Sequence, residues 1–234
     1  MSRSMPLIRE SFPVGPLGCN CSIVADPDTR QALVVDPGDQ APDILAALQR
    51  LGVQAVKLVH THAHFDHVLG TGAVAAATGA EVLIHAGDRW LYDNVELQAR
   101  FFGLPLPSPP PLPPPPTREL AGDEVLPFGN REARVLHTPG HTPGSSCFFL
   151  ERGGETPLLF AGDTLFRHSV GRTDLWGGSF EQLATSIRER LFALPDDTLV
   201  IPGHGPATSI GAEREGNPFV GKRARAVPPG APRG

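Results

Sequence analysis

Thr61-His62-Ala63-His64-Phe65-Asp66-His67 sets three imidazoles and a carboxylate into six consecutive residues, directly after the apolar run at 53–59. Val53, Val56, Leu58 and Val59 predict a buried strand that stops at His60, and residues 68–77 predict a helix starting just past His67. A strand that gives way to a helix presents its last side chains at the open end of a sheet, where ligands collect. His62 and His64 are two apart, so in extended backbone both point the same way. Asp66 and His67 fall where the chain turns and aim elsewhere. One segment can therefore feed two adjacent metal sites, one from the histidine pair and one from Asp66 with His67. The plain alternative is a polar loop rich in histidine. Four histidines within positions 60–67 weigh toward metal, because imidazole and carboxylate are its common donors.

The rest of the chain repeats that grammar. Residues 12–25 predict a strand pair broken at Gly15-Pro16 and Gly18, and 32–35 a short strand stopped by the turn Asp36-Pro37-Gly38. Ile44, Leu45, Leu48 and Leu51 recur at helical spacing over 41–51, which Gly52 ends. A strand over 81–85 and a helix over 86–103 follow, with His85 as a structural residue. The proline run at 104–116 cannot hold a helix or a central strand and predicts a stiff surface connection. Beyond it come strands at 133–137, 145–150 and 157–161. A helix opens on a capping box, Ser179 with Gln182, and carries Leu183, Ile187, Leu191 and Leu194 on its apolar face. The last strand, 198–201, runs into Pro202-Gly203-His204-Gly205. Two halves of mixed strands and helices predict an α/β chain of the α+β kind, with two sheets face to face and helices outside. The expected organisation is a single domain over 1–219, with a surface loop at 104–117 and a loose tail at 220–234.

Bulk properties remove several functions. The net charge is −5 and the only dense basic run is Lys222-Arg223-Ala224-Arg225, which argues against a nucleic-acid partner. No apolar run reaches the length of a membrane span, and residues 1–12 lack the apolar core of a secretory signal. The three cysteines, Cys19, Cys21 and Cys147, are an odd number. They predict reduced thiols filling strands in a cytoplasmic protein.

Three further polar residues follow apolar strands, each behind a glycine: His141 in Thr138-Pro139-Gly140-His141-Thr142-Pro143-Gly144, Asp163 in Ala161-Gly162-Asp163-Thr164, and His204. With the histidine cluster upstream, these residues resemble the ligand set of the metallo-β-lactamase superfamily, over nearly the whole chain. The resemblance implies a four-layer αβ/βα sandwich. It implies that His62, His64 and His141 hold one metal, that Asp66, His67 and His204 hold another, and that Asp163 bridges them. Two divalent cations are expected, zinc first, with iron or manganese as alternatives. Within the superfamily, Gly162-Asp163-Thr164-Leu165-Phe166 and Gly171-Arg172-Thr173-Asp174 resemble glyoxalase II, the hydroxyacylglutathione hydrolases, and their shorter bacterial relatives.

That likeness implies hydrolysis of a small thioester such as a glutathione conjugate, by hydroxide formed between two cations that also stabilise the tetrahedral oxyanion. A thiol leaving group of pKa about 8.5 departs without a dedicated acid. Asp66 is expected both to ligate and to orient the hydroxide, and His60 to support the site from behind. Arg172 stands where that family has a lysine for the glutathione carboxylate, and is the expected substrate-binding residue. A structural pairing with Asp174 is its alternative role. Asp174 and Pro206 stand at two tyrosine positions of the family's thiol site, so both phenols are missing. A second function class shares the ligands: a mononuclear iron persulfide dioxygenase, against which Leu175-Trp176-Gly177-Gly178 resembles the short hydrolases. A third is a non-enzymatic, partner-binding role through the proline run, as an SH3-type ligand, and the tail, with a vestigial site.

Overall fold

The structure is a computed structural model that describes residues 5–104, 106–107, 110–151 and 155–225. In chain order, strands β1 (Ile8–Val14), β2 (Cys19–Ala25) and β3 (Gln31–Val35) lead to helix α1 (Ala41–Leu51) and strand β4 (Gln54–Val59). Helices α2 (Phe65–Val68) and α3 (Thr71–Thr78) precede β5 (Glu81–His85), and α4 (Arg89–Asp93) and α5 (Val95–Phe101) precede β6 (Arg118–Leu120). The second half holds β7 (Val125–Phe128), β8 (Arg131–His137), β9 (Ser146–Leu150) and β10 (Leu158–Gly162). A small hairpin, β11 (Leu165–Phe166) and β12 (Ser169–Val170), precedes α6 (Phe180–Ser186), β13 (Leu199–Pro202), β14 (Thr208–Ser209) and α7 (Ile210–Gly216).

Two six-stranded sheets form, ordered β1-β2-β3-β4-β5-β6 and β14-β13-β10-β9-β8-β7. Strands β3 to β6 run parallel, as does the β10–β13 pair. The layering follows from alternation along strands that are apolar on both faces. In β10, Leu158 and Phe160 pack between the sheets while Leu159 and Ala161 pack under the outer helices. In β9, Phe148 and Leu150 face inward and Cys147 and Phe149 outward. On the first sheet, Leu33, Val35, Val59 and Leu83 meet that same inner core, while Val34, Leu58, Val82 and Ile84 meet Ile44, Val74 and Leu91 of the helices. Three apolar layers therefore separate helix, sheet, sheet and helix, the expected four-layer sandwich. Among the described residues no helix is long and apolar enough to cross a membrane.

Several local expectations need correction. Asp66 and His67 lie inside the helical turn α2, and the following helix starts only at Thr71. The helix expected over 86–103 is broken at Asn94, whose backbone leaves the helical region and whose amide donates to the Trp90 carbonyl. The strand expected to be last is followed by β14, and α6 runs on into a π-turn over Ile187–Leu191. Strands β6 and β7 carried no clear signal. The start of the expected tail is folded: Val220 is buried, and the Lys222 and Arg225 amides donate to the Arg214 and Pro218 carbonyls. Residues 226–234 lie outside the described residues. The described part of the proline run holds no helix or strand, as expected, and is tied down where Tyr92 Oη donates to the Pro114 carbonyl.

Candidate metal centre

All seven polar side chains singled out from the sequence as metal ligands converge at one edge of the sandwich, where the C-terminal ends of β4, β8, β10 and β13 open. The first sheet brings residues 60–67 and the second brings His141, Asp163 and His204. Asn20 at the start of β2 joins the two sheets there: its N–H donates to the Gly203 carbonyl, and its side-chain amide to the Pro202 and Gly205 carbonyls.

Two glycines set the spacing. Gly162 sits at φ +48°, and a β-carbon there would overlap Thr61. Gly203 is needed for proximity instead of dihedral freedom, since a β-carbon would stand 2.2 Å from Asp163 Oδ1 and 2.9 Å from His67 Cε1.

Two groups of donors result. His141 Nε2 stands 3.2 Å from His62 Nε2 and 3.0 Å from His64 Nδ1. His204 Nε2 stands 3.3 Å from His67 Nε2 and 3.2 Å from Asp66 Oδ2. Donors about 2.0–2.1 Å from a tetrahedral ion lie about 3.3 Å from one another, so both groups have the spacing of a coordination shell. Asp163 lies between them. Its Oδ2 is 3.6 Å from His141 Nε2, and its Oδ1 is 3.7 Å from His67 Nε2 and 3.8 Å from His204 Nε2. That Oδ1 is buried without a hydrogen-bond partner, a costly arrangement for a carboxylate oxygen unless a cation faces it.

Hydrogen bonds behind the rings fix which nitrogen carries the proton. His141 Nδ1 donates to the Arg172 carbonyl at 2.7 Å and His204 Nδ1 to the Leu17 carbonyl at 3.1 Å. His67 Nδ1 donates to Asp36 Oδ2 at 3.0 Å. The Thr61 hydroxyl donates to Asp36 Oδ2 at 2.6 Å and so accepts from His62 Nδ1 at 3.1 Å. In four rings Nδ1 is thereby committed and Nε2 faces inward, the arrangement metal-binding imidazoles need.

Electrostatics agree. Burial and then the neighbouring imidazoles hold His62 and His64 well below the ordinary histidine range, so both rings are neutral. Burial opposes protonation of His67, yet the carboxylates of Asp66 and Asp36 outweigh it and raise its pKa well above that range. The anionic field that attracts a proton to this ring attracts a metal cation equally. Burial raises Asp66, but His67 and His204 more than offset it and keep the carboxyl ionised. The donor set therefore fits divalent cations.

His60 supports the site without entering it: Nδ1 meets the Leu83 carbonyl at 3.0 Å and Nε2 meets Thr71 Oγ1 at 2.8 Å. His85 is structural as expected, accepting from the Gly87 N–H and stacking on His137. All three cysteines are free and buried, and Cys19 Sγ additionally stands 3.4 Å from His67 Nδ1. The Arg172 side chain forms a two-pronged pair with Asp174, at 2.7 and 2.9 Å, so the alternative role weighed for it is present.

Three supporting residues escaped the sequence reading. Asp36, buried after β3, accepts the Thr61 N–H and hydroxyl and the His67 ring. Asp88, also buried, accepts the Ala63 N–H, the Thr142 hydroxyl and the Gly144 N–H at 2.9, 2.8 and 2.6 Å. It thus ties the residue between His62 and His64 to the loop of His141. Burial pushes the Asp88 carboxyl pKa up, against the pull of those hydrogen bonds. Gln98 accepts from the Phe65 N–H and donates to the Ala63 carbonyl. The turn Asp36-Pro37-Gly38 was the one available signal for Asp36; Asp88 and Gln98 carried none.

Comparison with known proteins points one way. A family model described as the metallo-beta-lactamase superfamily matches residues 14–204. A hydroxyacylglutathione hydrolase, GloC, of Haemophilus influenzae is 35% identical over 217 residues, which span 92% of this chain and 99% of that protein. The crystal structure of BLEG-1, a B3 metallo-beta-lactamase, is 34% identical with a TM-score of 0.81, covering 91% of this chain and 99% of its own. TTHA1623, solved in a di-iron-bound form, is 40% identical with a TM-score of 0.79, covering 90% and 99%.

Proposed function

The chain belongs to the metallo-beta-lactamase superfamily, and on that premise we propose that it hydrolyses small thioesters at a pair of divalent cations. His62, His64 and His141 would hold one cation and Asp66, His67 and His204 the other, with Asp163 lying between the two groups. The observation that carries this reading is the set of four histidines whose outer nitrogens are already committed, leaving the inner nitrogens aimed at two points. Zinc is the proposed metal, and an imidazole-carboxylate set also accepts iron or manganese. A cytoplasmic setting, with a glutathione conjugate as one class of substrate, belongs to the same proposal.

Bound in such a site, two divalent cations lower the pKa of a shared water toward neutrality and polarise a carbonyl. Everything else falls to the chain. Asp66 orients the attacking water. Asp36 and the Arg172 and Leu17 carbonyls keep the rings in one tautomer. A thiolate leaves unaided, whereas the amide nitrogen of a β-lactam needs a proton. Leaving-group chemistry is what favours a thioester over the substrate implied by BLEG-1's name.

The test is metal content and turnover together. Protein purified without added metal is expected to carry two equivalents per chain and to cleave S-lactoylglutathione or a simple acyl thioester. One iron per chain, with oxygen uptake on glutathione persulfide, would replace this reading with the dioxygenase. Arg172→Ala is expected to raise KM about two- to fivefold with kcat nearly unchanged. Its guanidinium is exposed and shared with Asp174, and exposed ion pairs contribute only about 0–1 kcal/mol.

Asp88→Asn should act more strongly. An amide NH2 replaces one carboxylate oxygen and faces either the Gly144 N–H or the Ala63 N–H with the Thr142 hydroxyl, leaving a buried donor unmatched at about 1–3 kcal/mol. Metal titration is expected to show about 10–100-fold weaker binding at the His62, His64 and His141 group. Unchanged affinity with a lowered melting temperature would reduce Asp88 to a loop fastener.

A further inference from the structure

A cavity of 210 Å³ opens beside Asp66. Phe65 and Leu69 form one wall, Leu104, Leu106 and Pro111 of the proline run another, and Pro16 closes an edge. Among the described residues its lining includes no lysine or arginine; the charged groups are Asp39 and Asp66. The proline-run wall is seated: the Leu104 N–H donates to the Ala99 carbonyl, and Leu104 and Leu106 pack on the core beneath the helices.

We propose that this cavity is the acyl pocket of the thioesterase, taking an uncharged apolar acyl group. The inference rests on the thioester reading above and adds what that reading lacks, a preferred substrate. Three observations converge. First, Asp66, one of the proposed metal ligands, lines the cavity, so an acyl chain that runs past Asp66 from a carbonyl at the centre enters it. Second, an apolar hole of about 150 Å³ admits benzene. A volume of 210 Å³ therefore takes a phenyl ring or a chain of about five to seven carbons. Third, Asp39, with no lysine or arginine among the described lining residues to offset it, repels an acyl carboxylate and the two carboxylates of glutathione. The thiol portion is left to the other side of the centre, where the Arg172 carbonyl holds His141.

The experiment uses the metal-loaded full chain and thioesters of one uncharged thiol, with acetyl, butanoyl, hexanoyl, benzoyl, dodecanoyl and succinyl groups. The value of kcat/KM is expected to rise about 100-fold from acetyl to hexanoyl, as four methylenes leave water, with benzoyl comparable. Dodecanoyl should fall back by tenfold or more, and succinyl should run at least tenfold below butanoyl. Leu106→Trp, which fills the cavity, is expected to bring the hexanoyl and acetyl values within about threefold. Calorimetry with inert thioether analogues should show the same ranking and the same loss, independent of turnover. A flat series with clear thioester cleavage overturns the pocket and leaves the hydrolase reading standing. A rise that continues through dodecanoyl, or a succinyl group as good as butanoyl, also overturns it. Failure to cleave any member with two metals bound removes the hydrolase reading and the pocket with it.

Discussion

Asp163→Ala is expected to lower kcat/KM by at least about 1,000-fold and to reduce the bound metal from two equivalents to one. Losing a residue that only supports a metal ligand costs about 10–100-fold, and Asp163 stands closer to the chemistry than that. Its two oxygens face the two donor groups separately, and one of them has no other partner. Two dications about 3.5–4 Å apart repel by on the order of 15–20 kcal/mol at an effective dielectric of 20, and a carboxylate between them is the direct remedy. Alanine removes the remedy and leaves the repulsion. Asp163→Asn separates charge from shape: it fills the same space beside Gly203 but is neutral, and should behave like alanine in metal content. Elemental analysis and thioester assays give the readout. A variant that keeps two metals and more than a tenth of the activity would exclude Asp163 as the bridge.

Asp36→Ala is expected to have the largest effect on stability. The carboxylate is buried and satisfies three donors, the Thr61 N–H, the Thr61 hydroxyl and His67 Nδ1. Each donor left without a partner costs about 1–3 kcal/mol. Asp36 also sits at φ +51°, a region aspartate tolerates better than alanine. A total of about 3–5 kcal/mol translates into a melting temperature lower by about 10 °C for a chain of this size. The effect should appear in metal-free protein, which distinguishes it from loss of bound ions. In metal titrations, freeing the His67 tautomer should weaken binding at the Asp66, His67 and His204 group by about 10–100-fold. A metal-free melting temperature within 2 °C of wild type would contradict the role given to Asp36.

The ligands were legible because each is a donor residue placed where an apolar run stops. His62 and His64 after β4, Asp163 after β10 and His204 after β13 need only local patterning to be noticed. The layers were legible for a related reason, since runs such as Ser146–Leu150 and Leu158–Gly162 are apolar throughout and so must be covered on both faces. Asp88 and Gln98 were hidden because their partners in the metal-centre loops lie 25 to 56 residues away in sequence, and nothing in a lone buried aspartate announces such a partner. The break at Asn94 was missed because helical periodicity over 86–103 survives it. Arg172 shows the limit of reading a charge alone: the pattern offered it a substrate carboxylate or Asp174, and only the structure shows the pair with Asp174.

The candidate centre draws four of its seven donors from one sheet and three from the other, so ions bound there would also clasp the two halves of the sandwich together. Binding that exists only in the assembled state adds stability that grows with the logarithm of free metal over its dissociation constant. The melting temperature of this protein should therefore rise steadily with the concentration of available cation, and a purified sample becomes a gauge of metal supply as well as a catalyst.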